Sequence, residues 1–317
     1  MPHPHNLNTE AHAALANVFT GRHELAAYWL EQTSRRLRDV DIKNAASDEI
    51  PIVKFGSISD TAAIAQICQR VQDAGFAAYE WISSSGATVE DVTNVLQALS
   101  LKHGDNGVMR DAGELSLLED LSGTAKGRFP PYSSKAIQWH TDGYYNAHND
   151  SIRCFTLHCL SPAASGGALV LMDDALLLLA MLVENPSMVT LMSHPNAMTL
   201  PQNRDAMGHD RPDRHVPMVT GHDDGSISLR FTTRARNITY RNAETEVAAK
   251  RAAKLIEAHP QWHRRIKLKQ HQGIVTRNIL HARDAFTDAS DSPKRQILRG
   301  RFTALPHPAP ERSHVAR

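Results

Sequence analysis

Two histidines and one carboxylate carry the first chemical suggestion in this chain. Residues 139–145 read Trp139-His140-Thr141-Asp142-Gly143-Tyr144-Tyr145, and 139 positions past Asp142 comes His281, in Leu280-His281-Ala282-Arg283-Asp284-Ala285-Phe286. Two imidazoles and a carboxylate can grip one face of a non-haem iron(II) and leave the opposite positions open. The short pattern alone selects nothing, because His-x-Asp occurs four times: His103/Asp105, His140/Asp142, His148/Asp150 and His222/Asp224.

Context separates the four. His103 ends an amphipathic helix at Gly104, and His222 sits in Gly221-His222-Asp223-Asp224-Gly225, which has the composition of a reverse turn. His148 lies in the polar stretch Asn146 to Asp150, with no apolar partner to fix it. His140 alone follows an extended apolar approach, Ala136-Ile137-Gln138-Trp139. On a strand, residues two apart point to the same side, so His140 and Asp142 can hold one ion.

The third ligand depends on a second strand. Across Ile274 to His281, period two places Val275, Arg277, Ile279 and His281 on one face, which brings His281 to the other two if that face lines a barrel. Fourteen positions after His281 comes Arg295, with Arg299 and Arg301 beyond it on the last strand. A guanidinium beside such a site suits a dicarboxylate, because its fork matches a carboxylate and keeps its charge.

The elements that must position these groups read as an α+β chain. A helix capped by Asp60 carries Ile64, Ile67, Cys68 and Val71 inward and stops at Gly75, before a strand from Phe76 to Trp81. Thr88 caps a helix with Val92, Val95, Leu96 and Leu99 buried. The text from Gly104 to Tyr132 is irregular and is expected to form an active-site lid. Strands follow over Ile152 to Leu160, Ala168 to Met172 and Ser226 to Phe231, with one more spanning Ile266 and Leu268. A helix is expected over Ala175 to Glu184, a polar loop over Pro201 to Pro217, a helix over Glu244 to Ala258 and a last strand over Gln296 to Phe302. This order implies one domain, 1–317, with flanking N-terminal helices, a helical insertion and a β-sandwich or barrel core.

Composition narrows the partners. The 317 residues carry 35 basic and 34 acidic side chains, without the excess that drives nucleic-acid or anionic-membrane binding. Cys68, Cys154 and Cys159 lack metal-binding spacing and read as reduced, buried thiols. No apolar run is long enough to span a bilayer and the first residues lack a secretory pattern, so a soluble, cytoplasmic protein is expected. Homo-oligomerisation is left open.

At these residues the chain resembles the iron(II)/2-oxoglutarate-dependent oxygenases of the taurine dioxygenase and γ-butyrobetaine hydroxylase type. The resemblance rests on Trp139-His140-Thr141-Asp142, on Leu157-His158-Cys159-Leu160 followed by Gly166-Gly167, on Asn278 to Arg283 with Phe286, and on Arg295 to Arg299. It spans about half the chain and implies a double-stranded β-helix, or jelly-roll, core.

The resemblance also implies the roles: His140, Asp142 and His281 as iron ligands, Arg295 on the distal carboxylate of 2-oxoglutarate, and Arg299 as a substrate contact. O2 is the further cosubstrate. The implied reaction is hydroxylation, or the oxidative dealkylation that follows it, of a small charged or zwitterionic molecule, with release of succinate and CO2. Tyr144 and Tyr145 are candidate pocket walls that can receive a quaternary ammonium, and Arg230, Arg234 and Arg236 are further anion contacts to weigh. One departure stands out: Ala168-Leu169 offers no hydroxyl where the family often has a Thr or Ser against the cosubstrate. Two alternatives remain, a zinc metallohydrolase that uses the same ligands and a non-catalytic barrel that binds a small ligand.

Overall fold

Alternation along the last strand, Gln296–Phe302, shows how the layers are built. Ile297 joins an apolar cluster with Leu157, Leu169 and Leu171, whereas Leu298 and Phe302 join a different one with Val53, Ile67 and Val95. Period two thus buries both faces of the strand. The computed structural model describes residues 4, 7–39, 50–82, 86–101, 115–147, 150–204, 210–234, 238–291 and 293–309.

That strand belongs to a six-stranded sheet whose spatial order is Ile52–Phe55, Phe76–Trp81, Gln272–Thr276, Cys154–Ser161, Gln296–Phe302 and Leu115–Leu118. The first two strands run parallel and the other pairings are antiparallel. A four-stranded antiparallel sheet has the order Arg264–Ile266, Leu169–Met172, Leu280–Arg283 and Ile137–His140. Phe155, Leu157, Cys159, Ile274 and Ile297 from the larger sheet share one buried cluster with Leu169 and Leu171 from the smaller.

Seven helices are described: α1 (Thr9–Val18), α2 (His23–Asp39), α3 (Thr61–Ala74), α4 (Val89–Ala98), α5 (Asp174–Glu184), α6 (Ser187–Ser193) and α7 (Ala243–Ala258). Helices α3 and α4 cover the outer face of the large sheet. Asp60 caps α3 by accepting from the Ala63 N–H, Gly75 ends it at φ +80°, and Thr88 and Asp91 form a reciprocal cap on α4. The remaining helices pack together and meet the small sheet through Met172 and Leu280. All three cysteines are buried free thiols. Among the described residues no helix is long and apolar enough to cross a membrane.

The structure corrects one expectation that bears on the site. Ile274 to His281 is not one strand: Gln272–Thr276 lies in the large sheet and Leu280–Arg283 in the small one. Asn278 turns the chain between them at φ +57°, a left-handed conformation that Asn tolerates better than most residues. Val275 therefore packs beneath the helices, while His281 stacks against Phe155 in the interior. Arg277 faces neither, because Asp173 and Asp174 hold its guanidinium at 2.7 and 2.8 Å.

Smaller differences follow from short pairing segments. Leu115–Leu118, within the stretch expected to be irregular, is an edge strand paired with Ile297 to Gly300. The polar stretch after Pro201 contains the short strands Asn203–Arg204, Asp210–Arg211 and Arg214–Val216. Leu268 lies beyond the strand that contains Ile266.

Candidate active site

His140 and His281 are direct partners in antiparallel register on neighbouring strands of the small sheet. The register slips between His281 and Arg283, leaving an extra residue on the His140 strand, and such a bulge re-aims the side chains beside it. The two imidazole centroids lie 4.1 Å apart, His140 Nε2 is 3.8 Å from Asp142 Oδ1, and one donor atom from each of the three residues falls within 4.8 Å of the others.

Each ring is fixed by its other nitrogen. His140 Nδ1 lies 2.8 Å from the Gln138 carbonyl, and His281 Nδ1 lies 2.9 Å from the Ile279 carbonyl. A carbonyl only accepts, so both Nδ1 atoms carry the proton and both Nε2 lone pairs face the carboxylate. Burial lowers the pKa of His281 to about 3, helped by the neighbouring His140, and burial also lowers that of His140 against the pull of Asp142. Both rings are therefore neutral at neutral pH, the state that binds a metal.

Asp142 keeps its charge despite the same environment. Burial alone pushes its carboxyl up, but Arg299, His281, Arg301 and His140 together hold it at about 2. Arg299 Nη1 is 3.7 Å from Oδ2, the oxygen turned away from His140. One oxygen thus faces the histidines and the other faces a guanidinium.

The turn after the first two ligands is held by residues that sequence reasoning did not place. Asn278 accepts from the Asp142 N–H at 2.8 Å and donates to the carbonyls of Asp142 at 3.0 Å and Ile152 at 2.7 Å. The residue that turns the chain between sheets therefore also pins the carboxylate's backbone. Arg230 is buried and donates to the carbonyls of Tyr144 at 2.7 Å and Asn146 at 2.8 Å and to Ser151 Oγ at 2.9 Å. It clamps the loop and is spent as an anion contact. The sequence signal available for Asn278 was an Asn between the polar pair Thr276-Arg277 and the apolar pair Ile279-Leu280; for Arg230, whose partners are mostly backbone carbonyls, there was none.

Arg295, Arg299 and Arg301 are all buried, and Arg299 and Arg301 alternate with Leu298, Gly300 and Phe302 on the inward face of the last strand. Arg301 donates to the Tyr145 hydroxyl at 2.6 Å, and Tyr144 meets Tyr145 edge to face at 5.3 Å. Arg295 stacks over Phe286 at 4.8 Å, as Arg283 does at 4.9 Å, and its buried Nη1 has no hydrogen-bond partner. Arg295 also lines a narrow cavity with Leu157, Gly167, Leu169, Ile297 and Lys267. An unpaired buried donor is costly, so the arrangement suits an incoming carboxylate. Ala168-Leu169 still supplies no hydroxyl here.

Among the described residues, the His222/Asp224 pair plays no part in this cluster. His222 meets Ser228 Oγ at 2.8 Å, and Asp224 pairs with Arg153 at 2.8 Å. His148, His103, Asp105 and Arg236 lie outside the described residues.

Comparisons with known proteins agree with this geometry. The sequence pattern of the family described as "Taurine catabolism dioxygenase TauD, TfdA family" matches residues 37–301. No curated protein matches the chain by sequence. Among solved structures it is similar to an asparagine oxygenase in complex with Fe(II), 2S,3S-3-hydroxyasparagine and succinate, at 12% identity and TM-score 0.59, covering 93% of this chain and 92% of that one. A taurine dioxygenase from Burkholderia xenovorans gives 17% identity and TM-score 0.51, with 78% and 84% covered. The non-haem iron oxygenase OrfP, in complex with Fe and alpha-ketoglutaric acid, gives 12% and 0.53, with 93% and 92% covered. At such identities the structural likeness speaks for the fold, and the family pattern for the chemistry. The chain belongs to the TauD/TfdA family and is an iron(II)- and 2-oxoglutarate-dependent dioxygenase with a His-Asp-His triad.

Proposed function

We propose that His140, Asp142 and His281 hold the iron, that Arg295 binds the distal carboxylate of 2-oxoglutarate, and that the enzyme hydroxylates or oxidatively dealkylates a small charged molecule. The single observation that carries this reading is the convergence of two free Nε2 lone pairs and one ionised carboxylate, and the buried, unpaired Arg295 Nη1 supports the cosubstrate role. The two facing sheets are read as a jelly-roll core, and residues 119–132, beyond the edge strand at Leu115–Leu118, as the cover over the site; residues 104–114 of the expected lid lie outside the described residues.

When bound, iron(II), 2-oxoglutarate and O2 supply an oxidant able to attack an unactivated C–H bond, with succinate and CO2 released. The chain's own residues prepare for that oxidant. Carbonyls hold the imidazoles in the tautomer that offers Nε2, and Arg299 holds Asp142 ionised. Arg295 orients the cosubstrate through its fork, and Lys267 on the same cavity takes the place of the missing hydroxyl. Phe155 against His281, with Leu157, Leu171 and Ile279 nearby, keeps water from the metal.

Arg299, Tyr144 and Tyr145 are proposed to face the substrate. The Arg301 guanidinium on the Tyr145 hydroxyl favours an anionic group there over a quaternary ammonium. Anaerobic addition of iron(II) and 2-oxoglutarate tests the core of the reading. A weak visible charge-transfer band is expected; a metal-loaded protein without it defeats the assignment.

A further inference from the structure

We propose that an open groove beside the metal strand is a recognition site for an oxyanion carried on the end of the substrate remote from the reacting carbon. This rests on the assignment of the iron site above and names the chemistry of what that site takes. The groove has a volume of about 510 Å3 and is bordered by Arg128, Lys135 and Arg234. Among the described residues no carboxylate lines it, while Thr124 and Gln138 add neutral hydrogen-bonding groups. Three cations around one concavity, without an acid to neutralise them, focus a positive potential where an anion would sit.

Its position ties it to the reaction. Gln138 lies two residues before His140 on the same strand, a rise of roughly 7 Å. Arg234 follows Thr232, which bridges His140 from the other side, and its backbone N–H donates to Thr232 Oγ1 at 3.1 Å. Thr233 N–H donates to the Trp139 carbonyl at 3.0 Å, so both borders of the groove are fastened to the segment that bears the first ligand. The third border is fastened to the cosubstrate side: Arg283 donates to the carbonyls of Ser133, at 2.6 Å, and Lys135, and shares the Phe286 ring with Arg295. A molecule whose oxyanion rests on Arg128, Lys135 and Arg234 can therefore reach the metal with a body only a few bonds long. Arg299 lies beside Asp142 Oδ2 and is not among the residues that line the groove, so the groove is a charge anchor separate from it. Carboxylate, sulfonate and phosphate share the required chemistry.

Calorimetry tests this on the full chain loaded with iron(II) and 2-oxoglutarate under anaerobic conditions, with O-phosphoserine as the probe and serine as its control. O-phosphoserine is expected to bind at least tenfold more tightly than serine. The Arg128→Gln/Lys135→Gln/Arg234→Gln variant is expected to lose that preference while keeping the charge-transfer band. Equal binding of the two probes, or a preference that survives in the variant, overturns the proposal. A variant that instead raises the KM for 2-oxoglutarate overturns it too, because the groove would then be steering the cosubstrate. Absence of the band in the parent protein defeats the iron assignment instead, and the probe comparison in metal-free protein still decides the groove.

Discussion

His281 and His158 are both buried histidines on strands of facing sheets, and both have depressed pKa values, yet only His281 joins a cluster of converging donor atoms. His158 points away from the interior, its Nδ1 lies 3.0 Å from the Tyr79 hydroxyl, and its Nε2 is buried without a partner. His281 has its Nδ1 satisfied by a carbonyl and its Nε2 aimed at another imidazole and a carboxylate. Burial and a shifted pKa are common to both, so neither marks a site. Convergence of lone pairs on one point does.

The largest effect should come from breaking the converging member. His281→Ala should lower iron affinity by more than about 100-fold, beyond what loss of an outer-shell partner costs, and abolish 2-oxoglutarate turnover; iron stoichiometry after desalting reads this. The same measurement on His158→Gln should show full iron loading. If both variants lose iron alike, the contrast is wrong.

Next is the charged anchor. Arg295→Gln should raise the KM for 2-oxoglutarate by about 30-fold or more, from roughly 2 kcal/mol or more for a buried charge-assisted contact. Unchanged cosubstrate kinetics would move the carboxylate site elsewhere.

Asn278→Ala sharpens the question of what holds the convergence in place. It removes the bonds to Asp142 and Ile152 and should weaken iron binding by about 10- to 100-fold, with a smaller loss in Asn278→Asp, which keeps an acceptor for the Asp142 N–H. A variant that melts earlier but binds iron normally would make Asn278 a fold residue only.

The smallest effect concerns His158 and shows in stability against pH. Burial, aided by His271 and opposed by Asp91, lowers its pKa to about 4, below an unfolded value of about 6.5. Between these values the unfolded chain binds more protons, so this contribution is complete above about pH 6.5 and is lost as pH falls towards 4, up to about 3 kcal/mol. Denaturant titrations should show His158→Gln with a shallower fall across that window. An identical slope in both proteins would show that other groups set it.

Much of this arrangement was legible because local rules carried it. Asp60, Gly75 and Thr88 bound their helices where capping chemistry requires, and Phe76–Trp81 and Gln296–Phe302 have the expected limits. His281 was legible as a candidate ligand and does meet His140 and Asp142, but the single strand expected to deliver it does not exist. A change of sheet is a tertiary event, and a non-glycine residue at positive φ leaves only a faint trace in sequence. Leu115–Leu118 was hidden for a related reason: four residues are too few to show a period, and their pairing with the last strand is fixed by partners about 180 residues away. Arg301 was visible as a charge on the last strand, but its bond to Tyr145 joins residues that only the fold brings together.

The pairing of His140 with His281 would also make an ion held at the proposed site a mechanical component. Ile137–His140 is an edge strand, held on one side by Leu280–Arg283 and on the other by the isolated Thr232 bridge. An ion gripped by both histidines would cross-link two strands separated by about 140 residues of chain, a closure whose entropic cost the bare polypeptide must otherwise bear through weak pairing alone. On the proposed assignment iron would act as a rivet on the rim of the small sheet, and loading the metal would also fasten that strand to the protein.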